Sequence, residues 1–236
     1  MSALFIPDKP NVLAIGAHPD DIELGCAGFL HRLIHERGAK VYFAILTGGE
    51  LSSTTEQYES ARREEEARAA AGFILGCSTK SKTFSRHISF GKMKDGALNK
   101  EGHKPIWFIE QELARHKRAP LDIILTHSPE ELHEDHSSTN RATLSAARNF
   151  HGSILFYQSP STVPNKFSPT FFVQLNEKQL RMKNESLRYH VSQKGKAFLR
   201  NRTIRDIARS WAVFHRIYGA NLEAFCVHQT FWRSGK

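Results

Sequence analysis

Cysteine is scarce in this chain. Cys26, Cys77 and Cys226 are three in 236 residues, an odd number, far apart and without a C-x-x-C pair. That pattern excludes a disulfide framework and a cysteine-ligated zinc site, and it predicts a reducing cytoplasm. Long hydrophobic runs are missing too, since no apolar stretch approaches the roughly 18 residues needed to span a bilayer. The opening "MSALFIPDKP" lacks the basic segment, apolar segment and small-residue cleavage site of a secretory signal. A dinucleotide loop is also absent. Gly16, Gly25 and Gly28 are too widely spaced for G-x-G-x-x-G, and Asp20 and Asp21 would repel a pyrophosphate. No repeat, low-complexity tract or linker divides the chain, so one domain over residues 1–236 is expected.

What is present describes an ordinary globular protein, with 40% hydrophobic and 24% charged residues, apart from a net charge of +9. Between Lys178 and Arg209 ten basic residues face only two acidic ones, Glu185 and Asp206. Such a stretch suits a solvated helix face, nucleic acid, an anionic membrane or a phosphorylated substrate, and charge alone does not choose among them.

Short β-branched and aromatic runs recur at 11–17, 40–47, 121–127 and 153–158. Between them lie helical patterns at 22–37, ending at Gly38, at 56–75, ending at Gly76, at 106–117 and at 138–149, with Ser138 as cap. The alternation predicts an α/β fold: a Rossmann-like, mostly parallel sheet with helices on both faces. Residues 78–105 and the proline-rich 159–169 read as loops. The tail from 176 reads as mainly helical, with a core-facing stripe through Ile204, Ile207, Trp211, Phe214 and Tyr218.

The chemistry concentrates at strand ends, where open α/β sheets bind ligands. After the first strand comes His18-Pro19-Asp20-Asp21. A residue before proline is driven extended, so His18 is expected to end the strand and Pro19 to start the helix. Both aspartates then fall in the first turn, where the dipole favours negative charge, and project about 100° apart. One can bind a cation while the other faces an open coordination position. After the third strand comes "THSPEELHEDHSSTNRAT", in which His133 and His136 share a helical face and Asp135 can hydrogen-bond an imidazole. Two histidines and one carboxylate form a catalytic zinc set with room for water. The spare aspartate is then a general base and the spare histidine an oxyanion stabiliser.

These residues resemble those of the PIG-L (LmbE-like) N-acetylglucosaminyl deacetylases. "AHPDDIELGCAG" is similar to the family's A-H-P-D-D-x-x-x-G, and the likeness continues through "TGGE", "RREEEARAAAGFILG", "HEDH", "YHVSQ" and "GANLEAF". The resemblance implies the LmbE-like deacetylase fold, with His18, Asp21 and His136 as ligands of Zn2+. It implies Asp20 as general base, His133 as the group that polarises the acetyl carbonyl, and Asp135 as its orienting partner. Glu50 and Arg63 match sugar-contacting positions, with Arg62 as an alternative register. Glu134 replaces the usual proline of H-P-D-H and is expected to face solvent. The membrane anchor of the eukaryotic enzymes is missing, which implies a soluble, bacterial-type member.

The implied activity is hydrolysis of the N-acetyl group of an N-acetylglucosamine-like conjugate, a phosphate-bearing one among the options. Hydrolysis of another amide, or nucleic-acid binding through the basic tail, are the competing readings. The donor set also suits Fe2+. Homo-oligomers are compatible with the sequence, which selects no particular state.

Overall fold

The computed structural model describes residues 6–52 and 56–231. Strand β1 (Asn11–Gly16) is apolar on both faces because it lies inside the sheet. Val12 and Ala14 pack against one helical layer, while Leu13 and Ile15 pack against the other. Around it lie β2 (Lys40–Thr47), β3 (Ile88–Met93), β4 (Ile123–His127), β5 (Ser153–Tyr157), β6 (Phe171–Leu175) and β7 (Asn221–Gln229), in the order β3-β2-β1-β4-β5-β7-β6. Strands β1 to β5 pair in parallel, and β7 runs antiparallel to both β5 and β6. The mostly parallel α/β sheet expected from the sequence is therefore present.

Helices α1 (Asp21–Arg37) and α2 (Glu56–Leu75) cover one face, and α3 (Lys104–Arg115) and α4 (Glu134–Ala146) cover the other. Helix α1 ends at Gly38, whose φ of 65° closes it with main-chain bonds to the carbonyls of Ile34 and Leu33. Helices α5 (Glu177–Leu187) and α6 (Asn201–Phe214) form a small satellite core with Leu24.

Several boundaries differ from the sequence reading. Residues 78–105 are not all irregular, because β3 lies within them. The tail contains β7 as well as helices, and β6 precedes it. Helix α4 starts earlier than 138, with His133 rather than Ser138 as its cap. The α6 stripe is only partly core: Ile204 is buried, whereas Phe214 is 73% exposed and Tyr218 76%. None of the described helices is long and apolar enough to cross a membrane.

Strand order reverses between β1 and β4, since the chain goes from β1 to β2 on one side and later returns to β4 on the other. That switch point opens a crevice beyond the carboxyl ends of β1 and β4. The His18 turn and the His133 turn both empty into it.

Candidate active site

The β1–α1 connection is tighter than the sequence suggested. Strand β1 stops at Gly16, and Ala17 to Asp20 form a turn rather than a strand end and a first helical residue. Asp20 is the residue before the helix and adopts φ 103°, ψ −22°. A left-handed aspartate costs on the order of 1–3 kcal/mol and persists only where its surroundings hold it. Asp21, the first helical residue, accepts the His18 main-chain N–H at 2.7 Å. The turn is held by Arg63 from α2. Its guanidinium donates to the Pro19 and Gly49 carbonyls, each at 2.6 Å, and lies 3.3 Å from Asp20 Oδ2. Gly49 has φ 66°, and a Cβ there would overlap the Arg63 guanidinium, so this position requires glycine.

Three donor groups meet in the crevice. His18 Nδ1 lies 3.2 Å from His136 Nε2 and 3.4 Å from Asp21 Oδ2, and His136 Nε2 lies 3.3 Å from Asp21 Oδ1. Ligands at about 2.05 Å around a tetrahedral ion stand roughly 3.3 Å apart, so these spacings suit such an ion, with His18 facing Asp21 Oδ2 and His136 facing Asp21 Oδ1. Overlapping groups of donors within 4.8 Å of one another are His18/His133/His136, Asp21/His127/His136 and His18/Asp95/Asp135. The far side of each ring is also held, as ligating imidazoles require. His18 Nε2 faces Asp95 at 2.9 Å and Asp135 at 3.2 Å. His136 Nδ1 faces Glu131 at 3.3 Å and Ser161 at 3.0 Å.

Burial alone would lower the pKa of His18, but hydrogen bonds to Asp135, Asp21 and Asp95 lift it well above its ordinary value. His136 is pushed up to about 9, because Asp21 and Glu131 outweigh its burial. Burial would raise Asp21, yet His136 and His127 hold it well below the usual carboxylate range. Asp20 goes the other way: burial raises it, and Arg63 only partly opposes that. His133 is lowered by burial and by the nearby His18 and His136 rings. Concentrated negative charge that stabilises protons on the two histidines is the electrostatic signature of a cation site.

The remaining expected residues divide. His133 caps α4, with Nδ1 accepting the Asp135 N–H at 3.3 Å. The Asp135 carboxylate turns away from His133. It faces His18 and accepts the main-chain N–H groups of Gly96 at 2.6 Å and Leu98 at 3.0 Å. Asp135 therefore contacts His133 through its backbone, and its side chain orients His18 instead. Glu50 accepts the Asp95 N–H at 2.9 Å. Arg63 is the arginine that faces the site, while Arg62 is exposed and pairs with Glu66 at 3.3 Å. Glu134 is exposed and accepts from Asn99 at 2.8 Å.

Asp95, Glu131 and His127 were not singled out from the sequence. His127 ends β4 with Nε2 3.1 Å from Asp21 Oδ2, a position visible only as a strand-end histidine. Burial and His136 lower its pKa to about 4. Around these groups opens a cavity of ≈ 320 Å³, whose wall includes Asp20, Leu51, Asp95, His133, Lys196 and Phe198. That volume suits a small-molecule site.

The profile of the GlcNAc-PI de-N-acetylase (PIG-L) family matches residues 13–147. A curated relative, the uncharacterized deacetylase YaiS of Escherichia coli K12, is 31% identical over 186 residues, which are 78% of this chain and 92% of that protein. Among solved structures, the N,N'-diacetylchitobiose deacetylase of Pyrococcus horikoshii superposes with a TM-score of 0.74 at 20% identity, covering 92% of this chain and 83% of its own. GalB, the 4-carboxy-2-hydroxymuconate hydratase of Pseudomonas putida KT2440, superposes with a TM-score of 0.75 at 15% identity, covering 96% and 99%. These two likenesses establish the fold, which carries more than one chemistry. The family match over more than half the chain, together with the relative that spans most of it, assigns the chain to the PIG-L family of de-N-acetylases.

Proposed function

We propose that this protein is a divalent-metal-dependent N-deacetylase that hydrolyses the acetamide of an N-acetylglucosamine-like amino sugar carried on a larger aglycone. One observation carries the reading. The His18, Asp21 and His136 donors meet within 3.4 Å, and a further carboxylate, Asp20, lines the same cavity outside that triangle. Family membership supports the amide as the bond broken.

A divalent ion held by those three side chains would act as a Lewis acid on the acetyl carbonyl and acidify the attacking water. Zinc is the proposed ion, and the same donors suit iron(II). Asp20 accepts the proton of the attacking water. Its burial makes it a stronger base than an exposed aspartate, while Arg63 keeps the ionised form accessible. Asp20 then delivers that proton to the nitrogen as the C–N bond breaks, releasing acetate and the free amine.

His133 donates to the oxygen that gains charge in the tetrahedral state. Its Nδ1 is engaged as an acceptor by the Asp135 N–H, so in the neutral ring the proton sits on Nε2. Its lowered pKa keeps that ring neutral near pH 7. Glu50 and Arg63 support the sugar pocket indirectly in this scheme, Glu50 by fixing Asp95 and Arg63 by fixing Asp20.

The test is release of free amine across a panel of N-acetylated sugars, nucleotide sugars and sugar conjugates, with and without chelator. Amine release that a chelator abolishes and added metal restores is expected. Chelator-resistant release would remove the metal from the scheme, and hydration of an unsaturated acid without amine release would replace it.

A further inference from the structure

The residues left unexplained by the site lie in one stretch. Residues 186–222 contain eight Lys or Arg against the single Asp206, so they carry +7 of the chain's net +9. Exposed large hydrophobic side chains crowd the same stretch. Ile207 is 37% exposed, Val213 55%, Phe214 73%, Ile217 43% and Tyr218 76%. Isolated exposed apolar residues are ordinary, whereas a clustered group marks a contact surface. Here the exposed side chains fall on the end of one helix and the turn that follows it. Trp211 stacks edge-on with Phe214 at 5.9 Å, and the turn after α6 folds back through bonds from Arg216 N–H to the Val213 carbonyl and Ile217 N–H to the Ala212 carbonyl.

We propose that this cationic, apolar face, the end of α6 with the turn to Tyr218, docks on an anionic phospholipid surface. Among the described residues, Lys194, Lys196, Arg200 and Arg216 form no ion pair with an acidic side chain, and the exposed Arg209 interacts only at longer range with Glu177, so their charge is available to an external one. Basic residues beside Phe, Tyr and aliphatic side chains are the composition that binds in the headgroup region, the apolar tips entering the acyl boundary. Charge also decides against a second copy of this chain, because two such faces would bring like charges together. Nucleic acid would use the cations but leave Val213 and Ile217 without a role.

The docked face borders the catalytic cavity. Pro160 lines that cavity together with Lys196 and Phe198, and it also lines the adjoining groove formed by Ile207 and Trp211. A lipid surface against Phe214 would therefore lie close to the cavity mouth, where an amino sugar presented from that surface can enter. The proposal does not depend on the deacetylase reading, because binding is measured separately from turnover.

The experiment is co-sedimentation of the full-length protein with vesicles of pure phosphatidylcholine and of phosphatidylcholine with 40% phosphatidylglycerol. Binding to the anionic vesicles alone, weakening as salt rises, is expected. The double variant Phe214→Ser/Tyr218→Ser, with charge unchanged, should weaken it about tenfold or more. Arg209→Gln/Arg216→Gln should weaken it as well. These side chains are exposed, and a thermal melt of each variant verifies that it folds. Absence of binding to the anionic vesicles would overturn the proposal. So would binding indifferent to the Phe214/Tyr218 change, or equal capture by duplex DNA with the same indifference. Self-association lost in the Phe214/Tyr218 variant, without vesicle binding, would instead assign the face to a second copy and overturn it too.

Discussion

The Arg63 guanidinium stands 3.3 Å from the Asp20 carboxylate and at the same time bonds the carbonyl of the preceding residue, Pro19, at 2.6 Å. One planar group thus fixes both the backbone and the side chain of the residue assigned as general base. A lysine keeps the charge but cannot span the Pro19 and Gly49 carbonyls and Asp20 together. In Arg63→Lys, kcat is expected to fall by about 10–100-fold with little change in KM, since a misplaced base loses orientation rather than affinity. Steady-state kinetics checks this, and a raised KM with kcat preserved would show that Arg63 contacts the sugar.

Asp20 itself lies outside the donor triangle. Asp20→Asn should therefore lose roughly 10²–10⁴-fold in turnover while retaining bound metal. Metal content after dialysis, measured beside amine release, separates the base from the ligands. Loss of metal in this variant would move Asp20 into the coordination set.

The Asp135 carboxylate is wholly buried and holds the outer nitrogen of His18 at 3.2 Å. Asp135→Asn keeps the size and breaks the charge-assisted bond. Metal affinity is expected to drop by about 10–100-fold, read by competition against a chromophoric chelator. Unchanged affinity would leave Asp95, at 2.9 Å, as the sufficient partner of His18.

The raised pKa values predict a linkage between metal and protons. In metal-free protein His136 is pushed up to about 9 and so carries a proton at pH 7, while His18 is raised well above its ordinary value. A ligating imidazole must be neutral, so metal binding at pH 7 should release at least the proton carried by His136. Apparent affinity then climbs as pH rises toward 9 and declines as pH falls. Calorimetry in two buffers of different ionisation enthalpy counts these protons. A count near zero would show that His136 is already neutral in the metal-free protein and would overturn the raised pKa.

Helix α1 meets the sheet at Gly25, where a Cβ would overlap the Tyr157 ring, and the Tyr157 hydroxyl donates to the Ile15 carbonyl at 2.8 Å. Neither the ring nor the helix has room to withdraw. Gly25→Ala should destabilise the protein by about 1–3 kcal/mol through overpacking, seen as a lowered Tm. A neutral result would mean that α1 slides along the sheet more readily than this packing implies.

The sequence disclosed the parts of this architecture that are encoded locally. Helix α2 was legible at its full length because Glu, Arg and Ala dominate residues 56–75 and Gly76 stops them. His18, Asp20 and Asp21 were legible because three polar groups at a strand end have no packing role. Asp95 was not, since a lone carboxylate in a polar segment gains meaning only when β3 carries it to His18, 77 residues away. Glu131 was hidden beside Glu130 for the same reason. Strand β6, FFVQL, escaped because it is only five residues long and follows a proline-rich loop, and β7 escaped because charged and polar residues interrupt it. Glu223, in the middle of β7, disguises a buried strand: its charge is met by Lys183 at 2.6 Å and by two main-chain N–H groups of α1.

That buried glutamate sets an order of assembly. Its carboxylate receives the Gly28 and Phe29 N–H groups at 3.0 and 2.6 Å, across 195 residues from Gly28. During synthesis His18 and both aspartates emerge well before the brace for their helix, which follows Gly28 by 195 residues. A nascent chain therefore holds Asp20 and Asp21 on an unbraced helix until β7 takes its place between β5 and β6. Completion of the sheet, rather than appearance of the motif, is the event that makes the site rigid.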